Sequence, residues 1–525
     1  MGTFIRHANK ISDKLIQFSP LLRVQLCLCL GIAAAAHIDN SSDFNFLYLL
    51  IPTVTLSIIT FLLHKVPFFQ TILLFATIFC FGGWLYQSRT CSNDIMTDTD
   101  SQVYSAIVMS EPVSKNKIIM FDIIPVNGQM KGRKVRVSLL KDTASNNYKN
   151  ISVGDGISVK SSFTPIIEKD STFAGYSQWL RNHGYAATTF VFYRNWLLSN
   201  ADYSQLSMAN RMKLNGLLFR HKIENRLQKA GLDDTSMSVV AAMTLGDKRY
   251  LDRSLYETFS QTGSAHILAL SGMHLGIIFM LLYAMLRSRY FDWIREGILL
   301  FLIWSFVLVV GMPVSAIRAA IMMSIYIVAD MFTEQKQPVN SLSLAAIILL
   351  VIQPTTLFDI GFQLSFTSVF SILLLFDSIC NVINIPHKKV YKPLRIAWSM
   401  LVVSFVAQLG TFPLQLYHFG RTSVYFLLSN LIVIPAAYII IIGTIAMLLT
   451  ANIPILQTIF AHVVKHTIGT TVKSLSFFTT MPYGRLGEIH ISATGVIILY
   501  VVIFAAVAWW FRFRKGRDKT KWAVN

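Results

Sequence analysis

The chain has 525 residues, 54% of them hydrophobic and only 14% charged, with a formal net charge of +19. Soluble domains carry about a quarter charged residues, so a water-soluble globular enzyme is excluded and a polytopic membrane protein is expected. The cationic excess has two compatible sources: Lys and Arg placed on cytoplasmic ends, and a polyanionic partner such as nucleic acid or anionic lipid.

Three apolar runs come first, near 21–38, 46–63 and 66–86. Each can cross about 30 Å of hydrocarbon. Arg6, Lys10, Lys14 and Arg23 flank the first run on its N-terminal side, which predicts a cytoplasmic N-terminus and places the region after the third run outside. The first run ends in no small-residue cleavage site and reads as a retained helix. Cys27, Cys29, Cys80 and Cys380 lie in apolar segments and Cys91 in a polar, external stretch. Neither a disulfide framework nor metal spacing is present in this pattern.

Between about 90 and 205 the pattern changes to period two. Strands are predicted at 103–109, 117–124, 134–140, 156–163 and 186–193, with turns at Asn127-Gly128 and Gly154-Asp155-Gly156 and a short helix over 176–182. Five short strands in about 100 residues fit a small OB-like barrel. From 100 to 205 there are 12 Lys plus Arg against 8 Asp plus Glu, so this module is mildly basic. Lys131, Arg133, Lys134 and Arg136 cluster at the third strand. Such a run is either a solvated face or a phosphate contact.

Residues 207–231 mix Leu214, Leu217, Leu218, Ile223 and Leu227 with six Lys and Arg residues, the pattern of a basic amphipathic helix at a membrane surface. Membrane segments follow near 264–287, 296–312, 313–333, 339–353, 357–379, 395–417, 422–450 and 492–512. The 422–450 run is expected as two pieces broken around Asn430 and Pro435. Segment 453–480 repeats His462, Lys465, His466 and Lys473 at helical spacing and reads as an interfacial or cavity-lining helix. The tail, Arg512 to Lys521, is strongly basic and expected in the cytoplasm. The domain organisation is therefore 1–90, a three-helix membrane region; 91–205, the OB-like module; 206–232, the amphipathic helix; 233–512, a multi-helix membrane domain; and 513–525, the basic tail. The fold class is a polytopic α-helical membrane protein with an inserted extracytoplasmic all-β OB-like domain.

Several later segments carry polar groups that packing alone does not require. Thr262 to Gly276, TGSAHILALSGMHLG, holds two histidines, two serines and three glycines where a membrane helix is expected to begin. As a helix it would bring His266, Ser271 and His274 onto one broad face beside Gly272. Arg318 sits in an apolar helix and needs a carboxylate, carbonyls or water. Asp359 is the most economical partner, and Gln363 and Ser365 extend the same polar surface. Asn430 and Pro435 interrupt a hydrophobic run, as broken helices that line cavities do. Each group also has a structural use, in helix packing or an internal hydrogen bond.

Taken in order, LGDKRYL (245–251), TGSAHILALSGMHLG (262–276), SAIRAAIM (315–322), FDIGFQLSF (358–366), TFPLQLYHFGRTS (411–423) and SNLIVIP (429–435) resemble the ComEC family of bacterial competence proteins. GDGISV (154–159) and STFAGYSQWLRNHGYAAT (171–188) resemble that family's OB-like module, so the resemblance covers nearly the whole chain. Where the family often has Asn-Pro-Gly before an Asp and a Tyr, this chain reads Ser171-Thr-Phe-Ala-Gly-Tyr176. Many members also end in a metallo-hydrolase domain; the chain holds no HxHxDH string, so a separate chain is expected to supply nuclease activity.

The resemblance implies a channel for single-stranded transforming DNA across the bacterial inner (cytoplasmic) membrane, not an enzyme, with no cofactor or metal and both termini cytoplasmic. Its expected partners are single-stranded DNA, a periplasmic DNA receptor, a nuclease, a cytoplasmic helicase and the lipid bilayer. Arg133, Lys134 and Arg136 would meet phosphates, and Phe163, Phe173, Tyr176 and Trp179 would stack on bases. His266, Ser271, Gly272, His274, Arg318, Asp359, Gln363, Ser365 and Asn430 would line or support the membrane path, where binding must be weak enough to release. Two other readings stand beside it. A proton-coupled transporter of a small solute would show similar midplane polarity. An intramembrane serine hydrolase would pair Ser271 with His274, although residues three apart on one helix are not expected to orient as nucleophile and base.

Overall fold

A computed structural model describes residues 19–38, 45–63, 67–91, 101–142, 146–166, 174–286, 292–332, 337–383, 385–386, 388–481 and 489–520. Arg6, Lys10, Lys14 and the stacking candidate Phe173 lie outside them.

Three helices open the described chain: α1 (Pro20–His37), α2 (Leu47–Leu63) and α3 (Pro67–Cys91). The β region follows as β1 (Gln102–Val108), β2 (Val113–Lys115), β3 (Ile118–Pro125), β4 (Val135–Leu140), β5 (Gly156–Ser161), β6 (Phe163–Pro165), α4 (Ala174–Asn182), β7 (Ala187–Val191) and β8 (Trp196–Ser199). The sheet order is β6-β7-β4-β3-β1-β5-β8, with β2 paired to β3. β4 and β7 run parallel and the other pairs antiparallel. Only Ser162 separates β5 from β6. One bent run of chain therefore pairs with β1 through its first half and with β7 through its second. Inside lie Tyr104, Phe121, Ile123, Val135, Val137, Ile157, Val159 and Phe163, alternating along their strands as period-two burial requires. All five predicted strands are present, the fourth bent at Ser162 into β5 and β6, and β2 and β8 are additions.

The helical part comprises α5 (Met208–Lys229), α6 (Asp234–Val240), α7 (Arg253–Gln261), α8 (Gly272–Met285), α9 (Asp292–Val309), α10 (Val314–Phe332), α11 (Pro338–Ile352), α12 (Ile360–Cys380), α13 (Lys392–Phe419), α14 (Phe426–Leu449), α15 (Pro454–Thr480) and α16 (Ala493–Thr520). Among the described residues, six helices are long and apolar enough to cross a membrane: α1, α3, α12, α13, α14 and α16, over the stretches Pro20–His37, Phe68–Arg89, Ile360–Cys380, Lys389–Phe419, Phe426–Leu449 and Ala493–Phe511. The chain is thus a multi-pass membrane protein with a small β-sheet domain.

Two expectations are corrected. The segment 264–287 is not one span: its helix begins only at Gly272, and 262–271 is a loop with a 3-10 turn at Ala265–Ile267. The run 422–450 is not broken in two, because α14 continues through Asn430 and Pro435. Packing of Val433, Ala436, Ala437 and Ile440 against α6, α7 and α15 holds the helix across the hydrogen bond that proline cannot make.

α5 also differs from a plain surface anchor. Its inner face buries Leu214, Gly216, Leu217, Arg220, Glu224 and Leu227. At Gly216 it approaches α9 so closely that a Cβ would lie 2.1 Å from the Leu308 carbonyl oxygen. Gly216→Ala must therefore move one helix backbone, at a cost of about 1–3 kcal/mol. It is expected to lower the melting temperature of the purified protein, whereas Ala at the open position Gly175, which has nothing within 4 Å, is not.

Candidate functional site

The loop between α7 and α8 is fixed from several sides. Gly263 takes a left-handed conformation (φ 78°). A Cβ there would press on Phe426 and Ser423, so the loop lies against the start of α14. Ser429 Oγ donates to the Thr262 carbonyl at 2.7 Å, and Ser315 Oγ at the head of α10 donates to the Leu270 carbonyl at 2.7 Å. His266 and Gly272 are exposed. His274 is fully buried.

Ser271 caps α8. Its backbone N–H donates to His274 Nδ1 at 3.2 Å, and its Oγ lies 2.8 Å from the same nitrogen. The pair does meet, against the expectation from helical spacing, because Ser271 stands ahead of the helix. Accepting the backbone N–H makes Nδ1 the unprotonated nitrogen, so Nε2 carries the proton; it is buried and has no hydrogen-bond partner among the described residues. Among the described residues no carboxylate contacts the ring. Helix capping accounts for the contact.

Arg318 on α10 donates from Nη1 to Asp359 Oδ2 at 2.9 Å, the pairing expected. The same carboxylate accepts from the Phe362 N–H at 3.0 Å and so caps α12. Gly361 leaves room for the guanidinium: a Cβ there would stand 2.9 Å from Nη2. One turn on, Gln363 Nε2 donates to the Leu357 carbonyl at 3.0 Å and Gln363 Oε1 lies 3.1 Å from His418 Nε2 on α13. Gln415, Gln408 and Thr422 continue the line through a Gln408–Gln415 bond of 2.8 Å and a Gln408–Thr422 bond of 3.3 Å. Arg318, Asp359 and Gln363 thus belong to one polar seam. His418 and Gln415 stand within the string TFPLQLYHFGRTS, but sequence reasoning gave neither a role at the site. Ser365 is half-buried on α12. Asn430 is buried on α14 with Oδ1 unpartnered.

On the β domain the candidates separate. Phe163 is a core residue, 3% exposed and 4.7 Å from the Tyr104 ring, which removes it as a base platform. Tyr176 and Trp179 on α4 are open to solvent and stacked at 5.9 Å, with Trp179 4.3 Å from His183. The basic cluster is not a free charge run. Arg136 Nη1 binds Asp122 at 2.6 Å, Lys134 lies 3.5 Å from the same carboxylate and 3.7 Å over the Tyr185 ring, and Tyr185 OH donates to Asp122 at 2.9 Å. Burial and the Asp122 charge push the Tyr185 hydroxyl well above its usual range. Arg133 has no side-chain partner among the described residues. With Lys134, Lys213, Asn210 and Asp122 it lines a cleft of about 440 Å³ between β4 and α5.

A second charged cluster escaped sequence reasoning. Arg249 Nη1 binds Glu111 at 2.9 Å, and Nη2 binds Glu224 at 2.9 Å and Asp247 at 2.5 Å. Arg220 Nη2 binds Glu111 at 3.1 Å. His221 bridges Glu111 at 2.9 Å and Glu224 at 3.3 Å. Glu111 belongs to the β domain, Arg220, His221 and Glu224 to α5, and Asp247 and Arg249 to the loop after a π-helical turn at Ala241–Leu245. Gly246 (φ 72°) turns the chain there so that both side chains face inward. The only signal in the sequence was Asp247 and Arg249 directly behind an apolar block, within LGDKRYL.

Hydrogen bonds to Glu111 and Glu224 push His221 up to about 9. Burial raises Glu111, but the His221 hydrogen bond and the charges of Arg249, His221 and Arg220 outweigh it and hold the carboxyl below its usual range. With His221 protonated, three cations face three carboxylates.

A membrane domain with an internal polar seam, joined to a β domain through buried ion pairs, defines a multi-pass membrane protein. The competence protein family matches residues 243–513, and the chain belongs to that family, the ComEC family. ComE operon protein 3 of Bacillus subtilis is 30% identical over 206 residues, covering 39% of this chain and 25% of that protein. Recombination protein 2 of Haemophilus influenzae is 23% identical over 210 residues, covering 38% and 26%. The uncharacterized protein MG316 of Mycoplasma genitalium is 29% identical over 184 residues, covering 35% and 44%. The matched stretch thus spans about a quarter of the length of the first two relatives. No solved structure matches.

Arg249→Ala leaves Glu111, Glu224 and Asp247 buried and short of a cation, a change expected to destabilise the protein by about 3 kcal/mol, with Arg249→Lys recovering part; thermal melting in detergent measures both. The folded His221 value lies above its unfolded one of 6.5. Its stabilising contribution is therefore complete below about pH 6.5 and lost as the pH rises through about 9. Melting temperature should fall over that window in the wild type and fall less in His221→Gln.

Proposed function

We propose that the protein conducts single-stranded DNA across the bacterial inner membrane during natural competence. The observation that carries this is the polar seam Arg318–Asp359, Gln363–His418, Gln415–Gln408, which lies inside the region matched by the competence family. It offers one paired cation and several uncharged donors, a lining that touches phosphates without trapping them. His266, Ser271 and Gly272 would border the path from the loop held against the head of α10, which carries Arg318; His274, Ser365 and Asn430 would support the surrounding helices.

The β domain is read as OB-like and extracytoplasmic. In support, β5 and β6 together join β1 to β7 and so return the sheet on itself, as in a small closed barrel. Tyr176 and Trp179 give it a stacking platform beside the cleft of Arg133 and Lys134. Arg136, tied to Asp122, positions this surface more than it grips phosphate.

The division into 1–90, 91–205, 206–232, 233–512 and 513–525 stands as part of this proposal, with both ends cytoplasmic. So does a channel role without catalysis, served by a periplasmic DNA receptor, a separate nuclease and a cytoplasmic helicase. A small-solute transporter has no use for the aromatic platform.

Transformation of a deletion strain complemented with variants tests the assignment. Arg318→Ala should reduce uptake at least tenfold at unchanged membrane level, because it leaves Asp359 unpaired, and His274→Ala should reduce it less. Wild-type transformation by both would remove the site.

A further inference from the structure

α15 is a long helix whose surface conflicts with its position. It has 27 residues, about 40 Å at 1.5 Å per residue, yet it is not among the apolar spans. It nevertheless lies along α14, which is one of them. Phe478 stacks on Tyr425 at 6.1 Å near one end, Val464 sits against Gly443 in the middle, and Ala461, Val464, Ile468 and Leu475 share a core with Val433, Ala436, Ala437, Ile440 and Met447. A helix packed along a membrane span for most of its length is itself at membrane depth.

The face turned away from α14 is polar in its middle, between exposed Ile455 and Ile459 toward one end and exposed Phe477 toward the other. His462, Lys465, His466, Thr470 and Lys473 are all exposed and fall within about 140° of arc at 100° per residue. The helix contains no Asp or Glu. Lys465 has a 3.6 Å contact with Asp233; Lys473 has no partner among the described residues. The stripe occupies the middle of the helix, away from the headgroup level where long cationic side chains escape hydrocarbon. In lipid it would be costly; water or an anion must cover it.

We infer that this face of α15 lines an aqueous path and that its occupant is a polyanion. This rests on the DNA reading above and adds the residues that would meet the phosphates. A second copy of the chain fits less well, because a two-fold contact would oppose Lys473 to Lys473 with no carboxylate on the helix to answer either. Two lysines and two histidines spread over this stripe can follow an extended phosphate backbone, while hydroxyls between them keep the grip weak.

The test uses the full chain in cells, with its five native cysteines replaced and single cysteines placed at 462, 466, 470 or 473, read by a membrane-impermeant thiosulfonate. The path predicts labelling at these positions but not at the buried position 468, slowed at least fivefold by single-stranded oligothymidylate. Absence of labelling at all four, as lipid or a second copy would cause, overturns the inference. So does labelling that no polyanion slows. Labelling slowed by inorganic polyphosphate but not by oligothymidylate keeps this surface and removes the DNA reading. Independently, Lys473→Glu should cut uptake at least tenfold at normal membrane level and Lys473→Arg should restore it; equal uptake by Lys473→Glu and wild type contradicts the inference.

Discussion

The arrangement of the molecule depends on how its buried charges are matched at the Arg249 cluster. Glu224 is 1% and Asp247 4% exposed, and carboxylates so far from water persist only where cations and hydrogen bonds meet them. Arg249 reaches Glu111, Glu224 and Asp247 with one planar fork, a geometry that lysine cannot reproduce. Because these three acids come from the β domain, α5 and the entry to the membrane helices, satisfying the charges also fixes the relative placement of the three parts. Gly216 then lets α5 seat on α9 at backbone distance.

The same rule acts inside the helical region. Arg318 is tolerated because Asp359 meets it, and Asp359 is held in turn by the start of α12. His274 is held by the capping serine before α8. The rule is incompletely met at several buried atoms; of these, His274 Nε2, Asn430 Oδ1, Ser264 Oγ and Ser423 Oγ border the loop between α7 and α8 and the start of α14, while Arg318 Nε and Asn340 Oδ1 lie elsewhere. The outer face of α15 extends the argument from single atoms to a whole surface.

Much of this was legible in the sequence. Period-two alternation marked the five strands, and turn residues marked their limits. Hydropathy marked the long spans, and Arg318 required a carboxylate that Asp359 supplied. Other features depend on contacts between distant segments. Glu111 and Arg249 are 138 positions apart, and no local pattern links them. His418 joins Gln363 across 55 positions. Local rules also misled. TGSAHILALSGMHLG was apolar enough to read as helix, but Gly263 and the capping serine keep its first half irregular. Asn430 and Pro435 carry a breaking signal that the packing around α14 overrides. Phe163 alternates correctly for either face, and only its packing against Tyr104 across the sheet shows it to be inside.

The central claim, that nucleic acid passes along the seam between α12 and α13, is tested most directly by site-specific photocrosslinking in transforming cells. A photoreactive phenylalanine analogue is placed at Gln363, at His418 and, as a lipid-facing control, at the exposed Phe504. The account predicts covalent capture of labelled incoming single strand at 363 and 418 and none at 504. Capture at none of the three during active uptake, or capture at 504 alone, would contradict it.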